Sequence, residues 1–260
     1  MDPATIIGII TGFTGIYALM LAEGTHIGSI FLPGPMLLVI LGTIGAGMAG
    51  GMLKDSLGAF KSIPRAITAK GPDPAASIPT IVRLADRARR EGLLALEEEL
   101  RSIDDPFLRQ GLSAAIDGTD SEDLREMLES EIDTKRVQDG VNSKFFMELG
   151  GFAPTIGVVG TVVSLVHVLE NLSDVAALGP MIAAAFVATF WGILTANLIW
   201  LPLSNRMKRL SSLECSQMQV AVEGIIALQS GANPRIIGER LASLVPQDSR
   251  KGEKGKEKAA

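Results

Sequence analysis

Two long stretches of the sequence contain neither lysine nor arginine. Residues 1–53 have none and residues 145–205 have none, so all 24 basic residues fall in 54–144 and 206–260. Only 20% of the 260 residues are charged whereas 47% are hydrophobic, which is an unusual balance for a soluble protein of this length. The missing charges therefore predict a protein that is partly embedded in a membrane.

Other absences restrict the function. Cys215 is the only cysteine, which excludes an internal disulfide and a metal site built from cysteine pairs, and we expect it to be a packing or surface residue. The net charge of −5 and the lack of a basic stripe interleaved with aromatics argue against nucleic-acid binding. There is no nucleophile–base pair, metal cluster or phosphate-binding loop, so we expect neither an enzyme nor a bound cofactor.

Each basic-free stretch contains two apolar runs near the ~20 residues that are needed to cross a bilayer. The four runs are approximately 4–22, 31–53, 150–169 and 179–203. Basic residues directly follow the second and fourth runs at Lys54 and Arg206, whereas the breaks within each pair have none, so these flanks and both termini are predicted to be cytoplasmic. The first run has no basic region before it, and a second run follows at once, so we interpret it as a span rather than a cleaved signal peptide.

The predicted fold class is an all-α membrane protein with four transmembrane helices, a helical cytoplasmic domain between the second and third, and a helical cytoplasmic tail. The predicted divisions are 1–53 and 150–203 for the two pairs of spans, 54–149 for the cytoplasmic domain, 204–246 for the helical tail and 247–260 for a disordered tail.

Within the cytoplasmic domain, the sequence predicts a connector rich in proline and glycine over 64–79, followed by three helices. The first is predicted over 81–100. The second opens near Asp104 or Asp105 and stops at Gly118. The third is capped by Asp120 or Ser121 and continues toward the third span.

Ionisable side chains are almost absent from the predicted spans, where His167 is the only one. A proton relay normally needs an intramembrane carboxylate or similar group, so a partner must supply that group if the chain conducts protons. The chain itself would contribute a wall of hydroxyl groups. The candidate wall residues are Thr155, Thr161, Ser164, Thr189 and Thr195. For Ser164 and Thr195 we favour a simple hydrogen bond to the backbone one turn back.

Two prolines near the cytoplasmic ends of the third and fourth spans have two interpretations of equal weight. Pro154 and Pro202 can mark helix ends, or they can be hinges that line an inner vestibule, because proline removes a backbone donor and frees a carbonyl. The charged run ADRARREGLLALEEEL also has two interpretations. A solvated surface is favoured, and a docking surface for a charged partner is the alternative.

Four stretches resemble the MotA family of flagellar motor stator proteins. They are RREGLLALE, DDPFLRQGLSAAIDG, APTIGVVGTVVSLVHVLENL and AAFVATFWGILTANLIWLPL, and they occur in the family's order over nearly the whole chain. The resemblance implies a five-fold ring of this chain in the bacterial inner membrane around two copies of MotB, whose single span carries the proton-accepting Asp. Ion flow would rotate the ring, and the cytoplasmic domain would push the rotor protein FliG.

The resemblance also implies roles for particular residues. By this resemblance, Arg89 and Glu97 would contact the rotor, and Arg90 and Glu98 would assist them. The conformational prolines correspond to Pro154 in FAPT and Pro202 in WLPL, and the ion pathway to Thr155, Thr161, Ala188 and Thr189.

The choice of ion depends on two short motifs. Sodium-driven relatives resemble GT in the third span and TT in the fourth, whereas this chain has Thr161 in VGTV but Ala188 before Thr189 in VATF. A sodium ion must exchange its waters for several oxygen ligands, so the missing hydroxyl favours protons over sodium. Alternatives are an energiser of the TolQ/ExbB kind, whose members have three spans and lack REGLLALE, and a membrane scaffold without ion flux.

Overall fold

A computed structural model describes residues 3–246, and every regular element within them is helical. In this range the α-helices are α1 Pro3–Ala22, α2 Pro33–Ala49, α3 Leu53–Thr68, α4 Ile78–Glu91, α5 Pro106–Ile116, α6 Ser121–Glu170, α7 Val175–Thr195, α8 Leu201–Gln229 and α9 Pro234–Leu244. Short 3-10 turns occur at Ile27–Ser29, Leu93–Leu96 and Glu99–Ser102, and a π-helical segment occurs at Ala196–Trp200. The all-helical prediction is confirmed for these residues, whereas the predicted disorder of 247–260 lies outside them.

The described chain divides into two compact units. The first unit runs to Lys70 and resumes from Asp139 to Lys208, and the second runs from Gly71 to Gln138 and resumes at Arg209. The helices α6 and α8 therefore contribute residues to both units.

The first unit contains the apolar helices that the sequence predicts. The helix α1, the apolar part of α6, and the continuous helical stretch that begins with α7 are each long and apolar enough to cross a membrane, and α2 is a shorter apolar helix. The helix α2 lies inside the predicted 31–53 because the glycines at 50 and 51 and the extended backbone of Met52 interrupt it before α3 begins. The predicted presence of apolar helices is confirmed, and their four-span arrangement remains a prediction.

Packing between aromatic rings and a hydrogen bond from a tryptophan connect the helices of the first unit. Phe60 of α3 packs edge-to-face on Phe145 and Phe146, with ring centroids 5.5 and 6.0 Å apart, and Phe146 stacks on Trp200 at 6.3 Å. The indole Nε1 of Trp191 donates a hydrogen bond to the Ile30 carbonyl at 2.6 Å, which ties α7 to the segment before α2. Such aromatic pairs add about 0.5–1.5 kcal/mol beyond area burial.

Two segments differ from the sequence prediction. The helix α3 continues through Pro64 to Thr68 and α4 begins at Ile78, so the predicted connector over 64–79 is wrong for its first five and its last two residues. The helix α7 begins at Val175, four residues before the predicted 179, because the Asp174 carboxylate accepts a hydrogen bond from the Ala177 amide at 3.3 Å. The helical stretch continues after α7 into α8, which ends at Gln229, and helix within 204–246 agrees with the helical tail expected from the sequence.

The second unit has one apolar core to which every one of its helices contributes. Its largest fully buried side chains are Ile81 and Leu84 of α4, Leu96 of the following 3-10 turn, Leu112 of α5, Leu124 and Leu128 of α6, Ile225 of α8, and Ile237 and Leu241 of α9. Cys215 is buried in the same core. Of the two roles expected for it, packing is therefore confirmed and a surface position is wrong.

Helix starts and stops in the second unit follow the local sequence. The Asp105 carboxylate accepts hydrogen bonds from the amides of residues 107 and 108, and the Asp120 carboxylate accepts one from residue 122, so the predicted starts of α5 and α6 are confirmed. The predicted helix 81–100 is wrong beyond Glu91. Gly92 adopts a φ of 88°, which ends α4 and starts the 3-10 turn Leu93–Leu96.

Candidate functional site

Two threonine hydroxyls meet between α6 and α7 in the first unit. Thr161 Oγ1 lies 2.6 Å from Thr189 Oγ1. It also lies 2.9 Å from the carbonyl of Ala185 on α7 and 3.2 Å from the carbonyl of Gly157 on its own helix. Since a hydroxyl donates one hydrogen and accepts others, Thr161 can donate to a carbonyl while it accepts from Thr189. The pair forms a hydrogen-bonded polar point between two apolar helices.

Two glycines permit this close approach. A Cβ atom at Gly192 of α7 would lie 2.5 Å from the carbonyl oxygen of Ala153, and one at Gly157 of α6 would lie 2.8 Å from the carbonyl oxygen of Ala188. Both obstructing atoms belong to the backbone, so no side chain can move aside. The two helix backbones are therefore in direct contact beside the hydroxyl pair. On each helix the glycine follows a buried alanine by four residues, Ala153 before Gly157 and Ala188 before Gly192, which is the small-residue spacing that lets helices approach closely.

The structure brings three of the predicted ion-pathway residues together and leaves one apart. Ala188 is fully buried next to Thr189, and its methyl group packs against Gly160 of α6. Thr155 is exposed, and its hydroxyl bonds to the Phe152 carbonyl on its own helix at 2.8 Å. It lies six residues before Thr161, which corresponds to about 9 Å along the α6 axis.

The two hydroxyls that were expected to bond the backbone behave differently. Thr195 is buried and donates to the Trp191 carbonyl one turn back at 2.8 Å, as predicted. Ser164 is half-buried on α6, and no backbone carbonyl among the described residues accepts a hydrogen bond from its hydroxyl. Ser164 therefore does not follow the prediction made for it.

The interpretation of the two prolines as helix ends is wrong. Pro154 lies inside α6, with helix on both sides. Pro202 is the second residue of α8 and directly follows the π-helical segment, in which the Leu201 amide donates to the Ala196 carbonyl five residues back. Proline has no N–H to offer, so both positions interrupt a hydrogen-bond ladder within a continuing helical stretch. Their role as hinges remains a prediction.

The four predicted rotor-contact residues are all exposed in the second unit. Arg89 and Arg90 lie in the last turn of α4, and Glu97 and Glu98 follow the 3-10 turn Leu93–Leu96. Arg90 pairs with its helix neighbour Asp86 at 2.9 Å. Glu98 has a single 3.9 Å contact, with the Arg87 guanidinium. Within residues 3–246, neither Arg89 nor Glu97 has an ion-pair partner, so these two charges are free to bind another molecule.

The next acidic residue has a structural role that the sequence does not reveal. Glu99 receives Arg83 and Arg87, each at 2.6 Å, and thereby ties α4 to the 3-10 turn Glu99–Ser102. The hydrogen bond from Arg87 holds the pKa of Glu99 below its ordinary value and raises the pKa of Arg87. Glu97, Glu98 and Glu99 are the same residue type, so the direction in which the backbone points each side chain decides which of them pairs with an arginine.

Similarity to known proteins agrees with this architecture. Residues 99–220 match the MotA/TolQ/ExbB proton channel family. The chain is 33% identical to motility protein A of Bacillus subtilis (strain 168) over 255 residues, which are 96% of this chain and 93% of that protein. The structure of C. jejuni MotAB matches with a TM-score of 0.91 at 27% identity, covering 95% of this chain and 97% of that chain. The flagellar MotAB stator complex from Bacillus subtilis matches with a TM-score of 0.88 at 32% identity, covering 96% and 98%.

These similarities first define a class, that of channel and motor subunits, and so confirm that the chain is not an enzyme. Within that class, the chain belongs to the motility protein A family of flagellar stator subunits, because the identity extends over nearly the whole length of its relatives. The family resemblance seen in the sequence is thereby confirmed. The alternative of a TolQ/ExbB-like energiser is not favoured, since the full-length relatives are motility proteins.

Proposed function

We propose that this chain conducts protons in a flagellar stator of the bacterial inner membrane and converts their flow into torque on the rotor. The observation that carries the proposal is the hydroxyl pair of Thr161 and Thr189, which are 2.6 Å apart between apolar helices. A proton can pass along hydroxyls and water, whereas a sodium ion needs several oxygen ligands at once. Ala188 supplies no side-chain oxygen, and the carbonyl of Ala185 already accepts from Thr161. Both features favour protons over sodium.

The titrating carboxylate of this pathway comes from a partner. The apolar part of α6 and the whole of α7 contain no Asp or Glu from residue 150 to residue 169 and from 175 to 195. The similar solved structures are MotAB complexes, and by analogy the partner is a MotB-like subunit with one span and a membrane Asp. Along α6, Val158, Val162 and Val166 form an exposed apolar stripe. We assign this stripe to contacts with that partner or with neighbouring copies in a ring of five.

The proposed topology keeps the divisions expected from the sequence. The first pair of spans lies in 1–53 and the second in 150–203, with the domain 54–149 and the tail 204–246 in the cytoplasm together with both termini. Support comes from the lack of basic residues in the apolar helices and their return at Lys54 and Arg206. The helix α2 has 17 residues, about 25 Å, which is near the lower limit for a span.

Movement between the ion path and the rotor is assigned to the two prolines. Pro202 adjoins the π-helical segment and lines an open surface cavity of about 430 Å³ together with Thr5, Gly8, Ile9 and Leu198. That cavity gives the α8 start room to shift against α1. Pro154 frees a backbone carbonyl in the middle of α6, close in sequence to the glycine contact with α7.

Rotor contact is assigned to Arg89 and Glu97, with Arg90 and Glu98 as helpers, and the rotor protein is expected to be FliG. The exposed charges of Arg89 and Glu97 support this assignment, because a partner can pair with them without breaking an existing ion pair. Charged groups of this kind set the on-rate and specificity of a contact more than its raw affinity.

The ion is tested by swimming speed as a function of external sodium, with and without a protonophore. We expect a speed that does not depend on sodium and that falls to zero with the protonophore. A speed that rises with sodium and survives the protonophore would replace protons with sodium in the proposal.

The rotor contact is tested by charge reversal. We expect Arg89→Glu and Glu97→Lys each to weaken motility strongly while the membrane complex still assembles. The matched control is Arg109→Glu, which reverses an exposed arginine of α5 in the same unit and should swim normally. Normal swimming by both Arg89→Glu and Glu97→Lys would show that the assignment is wrong.

A further inference from the structure

We infer that Leu94 is an apolar anchor at the centre of the rotor-docking surface, and that it seats against a helix of the partner carrying an apolar side chain between an acidic and a basic one. This inference rests on the proposed rotor contact of Arg89 and Glu97. It adds a contact of a different physical kind, because the residues assigned so far act only through charge.

The exposure of Leu94 is the first observation. Its side chain is 74% exposed, more than any other large apolar side chain that the structure describes in the second unit. Its neighbours in the chain are turned the other way, since Leu96 is 1% exposed and Leu93 packs against the core. The turn therefore places one leucine outward and two inward.

The turn that carries Leu94 is held firmly in place. Gly92 starts it with a φ of 88°, a backbone conformation that residues other than glycine rarely adopt. Its backbone bonds run from the Ala95 amide to the Gly92 carbonyl at 3.3 Å and from the Glu97 amide to the Leu94 carbonyl at 3.2 Å. A turn whose backbone is already set loses little backbone conformational entropy when its outward residue binds, which favours Leu94 as an anchor.

Charges of both signs surround the leucine. A surface groove of about 680 Å³ is lined by Arg87, Leu94, Ala95, Glu97, Glu98 and Arg101. Arg87 is held by Glu99, whereas Glu97 and Arg101 have no ion-pair partner among the described residues. An apolar centre with a polar rim is the arrangement of binding hot spots in protein interfaces.

Charge complementarity selects the occupant. The groove offers a free carboxylate at Glu97 and a free guanidinium at Arg101, both within reach of the turn that carries Leu94. A helix presents side chains three and four residues apart on one face, so a single helix can offer a basic, an apolar and an acidic group together. A purely acidic or purely basic surface would leave one of the two groove charges unpaired.

The test compares substitutions at Leu94 with the same substitutions at Ile236, which is 60% exposed on α9 of the same unit. The variants are Leu94→Ala, Leu94→Asp, Leu94→Met, Ile236→Ala and Ile236→Asp, each in the full chain with its partner subunit. The measurements are swimming speed, the number of fluorescently tagged complexes at each motor, the amount of complex in the membrane, and ion flux.

We expect Leu94→Asp to reduce motor occupancy by about tenfold and Leu94→Ala by a smaller amount, as is usual for truncation of an anchor. Leu94→Met should stay near normal, because it keeps the apolar volume. Membrane amount and ion flux should be unchanged, and both Ile236 variants should swim normally.

Three results would overturn the inference, and the first two distinguish its failure from failure of the proposed function. If the Leu94 variants match the Ile236 variants while Arg89→Glu is impaired, charge alone carries the contact and the anchor is wrong. If Leu94, Arg89 and Glu97 are all dispensable, the proposed rotor contact fails as well. A parallel loss of membrane complex in Leu94→Ala and Leu94→Asp would make Leu94 a folding residue and would also overturn the inference.

Discussion

The two candidate regions differ in how many polar groups they contain and in how those groups are paired. Between α6 and α7, polar side chains are rare, and the two hydroxyls of Thr161 and Thr189 are bonded to each other and to carbonyls. On the second unit, charges are abundant, and most of them are paired with neighbours such as Glu99 with Arg87. In the apolar region the informative polar group is therefore the one that is present, whereas in the charged region it is the one left unpaired.

The two regions also differ in the interactions that stabilise them. The hydroxyl pair depends on backbone contact through two glycines, so geometry cannot be adjusted without moving a helix. The charged surface depends on long side chains that can rearrange in water, so single changes there cost little stability. We therefore expect the largest effects from the glycines, smaller ones from the hydroxyls and the smallest from the structural ion pairs.

The largest effect is expected for Gly192→Ala. The added methyl group meets the Ala153 carbonyl oxygen, so α6 and α7 must separate, with a cost of about 1–3 kcal/mol and loss of ion-driven motility. The measurements are thermal unfolding of the purified complex and swimming speed. Gly179→Ala on the same helix is the control, because no heavy atom lies within 4 Å of its Cβ position. Equal behaviour of the two variants would contradict the backbone contact.

An intermediate effect is expected for Thr161→Val, which keeps the shape and removes the hydroxyl. Stability should fall by about 1–2 kcal/mol, because the bond from Thr161 to a carbonyl and its bond with Thr189 are both lost. Ion flux should fall at least about tenfold, since a proton-transfer group is removed. Thr161→Ser should retain flux, and the control Thr195→Val should conduct normally because that hydroxyl bonds only its own helix. Flux that survives in Thr161→Val would remove the hydroxyl pair from the ion path.

The smallest effect is expected for Glu99→Gln and depends on pH. The hydrogen bond from Arg87 lowers the pKa of Glu99 in the folded protein, so its contribution to stability is present above the unfolded pKa and is lost as the pH falls through the folded pKa. The variant should be less stable than the parent by about 1 kcal/mol or less at pH 7, and the two should converge in acid. Thermal unfolding at pH 7 and pH 3 measures this difference, and Glu97→Gln should show none at pH 7.

Much of the fold follows from local signals in the sequence. Asp105 and Asp120 cap α5 and α6, and the run of apolar residues fixes where α1 and the end of α6 lie. The ends of α2 and α4 do not follow from the apolar pattern, because that pattern continues past Gly50 and Gly92 whereas the helices end there. Gly92 acts through a φ of 88° that periodicity does not record, whereas Gly50 keeps a φ of −83° and the backbone becomes extended at Met52.

The candidate sites show the same division. The pairing of Thr161 with Thr189 needs two helices in a defined rotation and could not be read from either helix alone. The residues themselves were found because hydroxyls are scarce in apolar runs. The unpaired state of Arg89 and Glu97 depends on which neighbours capture Arg87, Arg90 and Glu99, and side-chain direction around the Gly92 turn decides that outcome.

The π-helical segment Ala196–Trp200 has a consequence for the angular phase of the helical stretch around it. A π turn accommodates one residue more than an α turn, so side chains after the segment are offset by about 100° from where a regular helix would place them. The face that carries Thr189 in α7 is therefore out of phase with the start of α8. If the segment converts between π and α geometry, Pro202 and the residues after it rotate about the helix axis, while the backbone on the Thr189 side keeps its place.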